Sequence, residues 1–483
     1  MKITNNFNYS PYKTILIFIL LIFAFLIRVY NINYDDLWFD EILSFWISSP
    51  IIPIKESFLR HTSIEQIPFF YHLILKLNFY LFSYDANYGR YLSLIFNILG
   101  IIFSTLVCKK IRNDNSYLLV LALLSLNIFL IRYAQEIRPY SLIFFLCSIN
   151  LYIFCKIENA KEFSNFNLYY FIIFVFFQVL MIISHPFCLI IFFSFAVYIG
   201  VNFLKKKQIN KTLITSIFFI SIFALIYLFV VIKNLETFPD WINKPNIKFY
   251  TNFYFSKFFG SRFVGLIHLL SLILLSWIFF KGIIKKNFVV LIFYIIIFLS
   301  YFLPITYGYI FKPIIFPRYI IFVLIPIIIL LAILSFEIKN ESIKKLFITF
   351  LILINFANHF TESTFKQLYE ERPFFKPNFK GMSQIIRTSK IKNYFIEMGF
   401  DIDEEANAHD AINNYINVIN TDKIIPPKYL QKDYFFKSNK NKSWVICLPT
   451  VVKDKCNNNK INFKENILLI KDIPGIQMIL IKK

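Results

Sequence analysis

The sequence predicts an α-helical polytopic membrane protein with about eleven transmembrane helices and a small C-terminal α/β domain. Three observations predict it. Of the 483 residues, 57% are hydrophobic, a share no soluble globular chain of this length carries. The apolar residues fall into repeated runs able to cross about 30 Å of hydrocarbon. After residue 361 these runs give way to polar sequence with short helix-like and strand-like segments. The chain thus divides into a membrane module, 1–361, and a C-terminal domain, 362–483.

In chain order, the runs lie near 14–30, 90–107, 117–132, 140–155, 168–184, 187–204, 212–232, 263–280, 287–303, 318–336 and 344–361. The first has no small-residue cleavage site and reads as a retained span, not a signal peptide. Residues 67–83 are amphipathic and read as a surface or re-entrant helix inside a long first outer loop, 31–89. Beyond the last span, 381–400 and 403–420 read as helices, and 443–452 and 466–482 as strands.

The net charge is +22, from 51 Lys+Arg against 29 Asp+Glu. The basic residues do not form a nucleic-acid surface. They collect in alternate short gaps: Lys109, Lys110 and Arg112; Lys156 and Lys161; Lys205 to Lys207; Lys285 and Lys286; Lys344 and Lys345. The positive-inside rule puts these gaps and the N-terminus in the cytoplasm. The first loop, acid-rich from Asp35 to Glu65, and everything after 361 then lie outside, with the bilayer as the principal partner. A bacterial inner membrane is the expected location. Cys108, Cys147, Cys155 and Cys188 read as small buried residues, and none of the six cysteines has zinc-ligand spacing. Cys447 and Cys456 can pair if the C-terminal domain is outside the cytoplasm.

Under this topology the polar residues at span ends share the outer side. Asp40 and Glu41 stand first, because two adjacent carboxylates at a bilayer surface are costly unless they have a task. Glu65 and Gln66, Arg90, Glu136 and Arg138, Tyr140, His185, and Arg318 with Tyr319 follow. A lipid-phosphate leaving group is already anionic and needs cations, not a proton donor. Arginine grips phosphate in bidentate fashion and stays charged at low dielectric. An acceptor hydroxyl needs a carboxylate base within about 3 Å, and Asp40 is the candidate. Each residue also has a purely structural reading: Asp40 and Glu41 as helix caps, Glu136 and Arg138 as an ion pair, Arg318 reaching for headgroups, His185-Pro186 as a turn.

The segment Leu37-Trp38-Phe39-Asp40-Glu41 resembles the outer-loop Asp-Glu motif of the polyprenyl-phosphate-dependent GT-C glycosyltransferases, among them protein O-mannosyltransferases and lipid A aminoarabinose transferases. Further matches come in family order: Glu65-Gln66-Ile67-Pro68-Phe69-Phe70-Tyr71, Gly89-Arg90-Tyr91-Leu92-Ser93, the run from Tyr133 to Tyr140, Ser184-His185, Pro317-Arg318-Tyr319, and Arg372-Pro373 to Gly381. The resemblance implies a GT-C fold and a polyprenyl-phosphate sugar donor. It implies that Asp40 serves the acceptor with Glu41 beside it, and that Arg318, Arg138 and Tyr319 hold the donor phosphate. Glu65, Gln66, Arg90, Glu136, Tyr140 and His185 would line the pocket. The His-Pro-Pro run of the family is replaced by Gln66-Ile67-Pro68, and the acceptor does not carry over. Asp40, Glu41, Glu65, Glu136 and His185 carry donors suited to a divalent cation, but no fixed spacing identifies a metal. A lipid-linked sugar flippase is the rival from another class; it would place its charges at mid-span rather than at span ends. An O-antigen polymerase or ligase would lack the Asp-Glu pair so soon after the first span.

Overall fold

The computed structural model describes residues 11–65, 67–159, 166–206, 210–235, 242, 244–245, 254–361, 376–389, 391, 393–397, 402–419, 428–429, 442–448, 467–473 and 475–482. Its helices are α1 (Pro11–Val29), α2 (Phe39–Ile47), α3 (Ile54–Thr62), α4 (Phe70–Leu81), α5 (Ala86–Ile111), α6 (Ser116–Ser125), α7 (Ile128–Ala134), α8 (Tyr140–Glu158), α9 (Leu168–Ile182), α10 (Leu189–Lys206), α11 (Lys211–Leu235), α12 (Tyr254–Lys257), α13 (Arg262–Lys286), α14 (Leu291–Ile310), α15 (Leu324–Ser335) and α16 (Glu341–Thr361) in the membrane module, then α17 (Phe379–Thr388) and α18 (Ile402–Ile419). The strands are β1 (Asn393–Glu397), β2 (Lys428–Tyr429), β3 (Lys442–Cys447), β4 (Ile467–Ile473) and β5 (Ile476–Lys482).

All eleven apolar runs are helical. Among the described residues nine helices are individually long and apolar enough to cross a membrane, and the pair α6–α7, bent by 57°, makes a tenth. The eleventh run, α9, has only 15 residues. It still joins the two ends of the bundle: the Asn167 amide at its start bonds Thr212 Oγ1 at 2.9 Å, while its far end leads to His185.

The α6–α7 break explains a buried arginine that the sequence reading passed over. A broken span frees backbone carbonyls that no water reaches, so protein groups must satisfy them. Arg28 donates to Leu124 O and Ser125 O, both at 3.0 Å, and to Asn97 Oδ1 at 2.8 Å. Asn97 donates in turn to Leu130 O at 3.1 Å, and Asn127 caps the start of α7. Next to this, α5 packs along α8. Gly100 makes the approach possible, since a Cβ there would lie 2.3 Å from the Phe144 ring. α15 is buried on every side and forms the axis of the bundle.

Two of the basic gaps meet at the end of the bundle opposite the site. Arg112 bonds both Asp114 and Glu337, and Lys286 reaches Glu337 at 2.5 Å. At the other end sits the C-terminal domain. Its five strands run in the order β2-β1-β3-β5-β4; β1 is parallel to β2 and β3, and the β3–β5 and β4–β5 pairs are antiparallel. The predicted helix 381–400 is corrected here: α17 ends at Thr388, and residues 393–397 form β1, buried at Tyr394, Phe395 and Ile396. The predicted strand 466–482 is a hairpin whose turn holds Gly475 at φ +68°, which glycine adopts without strain.

Candidate active site

The site is built around the start of α2. Trp38 is its extended N-cap, and the Glu41 carboxylate reaches back to the Trp38 amide at 3.2 Å. Two acids in a first turn also suit the positive end of the helix dipole. The helical turn then sends the two neighbours in different directions.

Glu41 is fully buried and fully engaged. One oxygen accepts the Ile137 amide at 2.9 Å and lies 3.9 Å from Arg90 Nε; the other accepts Lys376 Nζ at 2.6 Å. Burial alone would raise this carboxyl, but Lys376 and Arg90, with the Lys376 and Ile137 hydrogen bonds, hold it below the usual glutamate range. Arg90 donates to the carbonyls of Ile32, Asp35 and Asp36 at 2.7, 2.9 and 3.2 Å, so it splints the loop after α1. The C-terminal domain completes this layer. Lys380 N donates to Asp36 Oδ2 at 2.7 Å, the Tyr415 hydroxyl donates to Asp36 Oδ1, and Tyr84 OH bonds Asn414 Oδ1 at 2.8 Å.

Asp40 faces the other way. Its side chain is 27% exposed, against 0% for Glu41, and lies 3.4 Å from Arg318 Nη2. Burial pushes the Asp40 carboxyl up; Arg138 and Arg318 pull it down, Glu65 and Glu136 push it up again, and the net direction is upward. Arg318 stands at the second position of a 3₁₀ segment, Pro317–Val323, kinked at Ile320. Four rings surround its guanidinium: Phe316 at 4.9 Å, Trp38 at 5.2 Å, Tyr140 at 5.6 Å and Tyr319 at 5.7 Å. Such a box favours a cation.

The other predicted residues divide between rim and frame. Arg138 pairs with Glu65, at 2.5 Å and 3.4 Å, instead of with Glu136. It also donates to Ser44 Oγ at 2.9 Å and to the Asp40 carbonyl at 3.0 Å. Glu65, which burial would raise, is held low by this partner. Glu136 pairs with the exposed Arg132 at 3.3 Å through Oε1, while its buried Oε2 has no partner among the described residues. His185 caps the turn before α10, accepting the Phe187 amide at 3.2 Å, as the bland reading has it. Burial first, then Arg138 and Arg318, push it down to about 3, so the imidazole is neutral beside Tyr319, with ring centroids 5.2 Å apart. Gln66 lies outside the described residues, as do Arg372 and Pro373.

The structure therefore gathers Asp40, Arg318, Tyr319, Tyr140, Arg138, Glu65, Glu136 and His185 at one end of the bundle, and turns Glu41 and Arg90 into supports. Among the described residues no three His, Cys, Asp or Glu side chains are placed to share a metal ion. Sequence reasoning missed Lys376, Ser44 and the ring of Phe316. None had a local signal: Lys376 is 335 residues from its partner.

Comparison with solved structures fits this arrangement. The chain superposes on ArnT from Cupriavidus metallidurans bound to undecaprenyl phosphate with a TM-score of 0.56 and 10% identity, over 98% of each chain. The same protein in the apo state gives 0.57 at 9% identity, again over 98% of both chains. The Archaeoglobus fulgidus oligosaccharyltransferase in complex with Zn and sulfate gives 0.52 at 10% identity, covering 88% of this chain and 67% of that one. The fold is that of the GT-C glycosyltransferases. No family model and no curated protein sequence matches the chain. The GT-C likeness thus rests on architecture, and it extends through the C-terminal domain.

Proposed function

We propose that this chain is a membrane glycosyltransferase that moves a sugar from a polyprenyl-phosphate donor to a hydroxyl acceptor at the outer face of a bacterial inner membrane. One observation carries the reading: a partly exposed carboxylate, Asp40, meets a guanidinium boxed by four rings, Arg318, at the end of a GT-C bundle. The disulfide-bonded state of Cys447 supports an oxidising compartment for the C-terminal domain. The ArnT relative holds undecaprenyl phosphate, which supports a donor of that class.

The acceptor oxygen attacks the anomeric carbon while the bond from that carbon to the phosphate oxygen breaks. The acceptor proton passes to Asp40, whose upward shift makes it a better base than an ordinary aspartate. The polyprenyl phosphate leaves with the electron pair and an added negative charge, which Arg318 stabilises. A single displacement inverts the anomeric carbon. The 3.4 Å Asp40–Arg318 contact is long, so an incoming phosphate displaces it at little cost. Arg138 holds the Asp40 carbonyl and Ser44 in place with Glu65 behind it, and is a positioning residue in this scheme. Tyr319 and Tyr140 wall the guanidinium. Among the described residues no three His, Cys, Asp or Glu side chains converge as a metal centre.

The test is transfer in membranes by Asp40→Asn and Arg318→Ala variants, read by mass spectrometry of envelope glycolipids and glycans and by release of free polyprenyl phosphate. Loss in both variants is expected. Wild-type turnover in both rejects the site.

A further inference from the structure

A cavity of about 290 Å³ opens between the first long loop and the C-terminal domain. Trp46, Ser49, Ile51, Ile52 and Arg60 line it from the loop side, and Asp410, Asn413, Asn414 and Asn417 from α18. It shares no residue with the Asp40–Arg318 site. Trp46 is six residues beyond Asp40 on α2, or about 9 Å along the axis.

The lining specifies a chemistry. Asn413 Oδ1 accepts from Tyr394 OH at 2.7 Å, and Asn414 Oδ1 accepts from Tyr84 OH at 2.8 Å. Both amides are thereby oriented, and each keeps its NH₂ group for a ligand. Asn417, exposed on the same helix, adds a third amide and Asp410 an acceptor. Arg60 lies over the Trp46 ring at 4.3 Å and is pinned by Glu56 at 3.1 Å and by the Trp46 carbonyl at 3.4 Å, which makes one rigid aromatic and cationic wall. The lining combines amide donors, the Asp410 carboxylate and one arginine with two isoleucines, Ile51 and Ile52, that suit the C–H face of a sugar ring. An acyl chain would strand these polar groups, and a phosphate would meet one shared cation and a carboxylate. A hydroxyl-rich neutral ring satisfies both sets of groups at once. The volume sits at the lower end for small-molecule sites, which suits one such ring.

We infer that this cavity is a subsite for a neutral pyranose of the acceptor, remote from the reacting hydroxyl. Its role as an acceptor site rests on the transferase reading above; its capacity to bind a sugar does not. The subsite spans α2 and α18, so it couples acceptor recognition to the docking of the C-terminal domain.

Saturation-transfer NMR on the purified full-length protein in detergent tests it, with glucose, galactose, mannose and N-acetylglucosamine as probes and glucuronate and inorganic phosphate as charged controls. At least one neutral sugar is expected to bind saturably, to keep its signal in Arg318→Ala, and to bind at least tenfold more weakly in Asn414→Ala. Asn417→Leu, at an exposed position outside the tyrosine hydrogen bonds, must weaken it as well, which separates lost contacts from misfolding. The subsite is overturned if no neutral sugar binds, if binding survives both asparagine changes, if Arg318→Ala abolishes it, or if glucuronate or phosphate binds in preference. Failure of sugar binding with transfer intact rejects the subsite alone. Unchanged transfer in Asn417→Leu once its sugar binding is lost rejects the acceptor role.

Discussion

Asp40 and Glu41 are neighbours on one helical turn and serve opposite purposes. Glu41 has no exposed surface, and its oxygens are taken up by two backbone amides, a lysine and an arginine. Asp40 keeps a quarter of its side chain accessible and has one long contact to a guanidinium. A buried carboxylate with every lone pair engaged stabilises a frame; one left partly open, near its cationic partner, can exchange that partner for a substrate. The arginines differ as well, with Arg90 bonded to three carbonyls and Arg318 ringed by four aromatic side chains.

The largest effect expected is on the open layer. Asp40→Asn and Arg318→Ala should each reduce transfer by roughly 100-fold or more while the melting temperature in detergent stays unchanged. A fall in melting temperature matching that of Glu41→Gln would dissolve the distinction. Glu41→Gln itself should act through stability. It leaves Lys376 and Arg90 facing a neutral partner in a buried site, which costs about 3–5 kcal/mol and shows as early thermal unfolding. The double variant Glu41→Gln/Lys376→Gln should recover part of that loss; additive losses would mean that the two groups do not interact.

A smaller effect tests the frame directly behind Asp40. Arg138→Lys cannot hold Glu65, Ser44 and the Asp40 carbonyl together, so kcat should fall about tenfold with KM nearly constant. A change confined to KM would move Arg138 from positioning to donor binding.

Acidity separates the two layers in another way. Asp40 must be ionised to accept a proton, and its carboxyl is shifted upward, so kcat/KM should rise with pH along a limb lying above the ordinary aspartate value of 3.8. Glu41 and Glu65 are shifted downward. The stability they contribute is fully present above their unfolded value of 4.5 and is lost only as pH falls through their lower folded values. On acidification, activity should therefore disappear before the fold does; simultaneous loss in activity and circular dichroism would contradict this.

Much of the architecture was legible in the sequence because hydrocarbon is a demanding solvent: each apolar run became a helix, even the 15-residue α9. The dyad was legible because its two carboxylates were out of place in an aromatic segment. What could not be read were the partners. Nothing near Glu41 announces Lys376, and nothing in the run from Tyr133 to Tyr140 says that Arg138 will choose Glu65 over Glu136. Such pairings are set by packing between distant segments, and spacing along the chain carries no trace of them. The strand at 393–397 was missed because one short apolar run reads equally well as the end of a helix.

Asp36 and Glu41 wait for Lys380 and Lys376, made more than three hundred residues later. Until the last quarter of the polypeptide is made, Glu41 has Arg90 but not Lys376, and Asp36 lacks the Lys380 backbone amide. The brace on α2 and the loop before it is therefore completed only by the C-terminal domain. A chain cut short before Lys376 would retain every span and both reactive groups, yet lack the brace that holds the first outer helix in register.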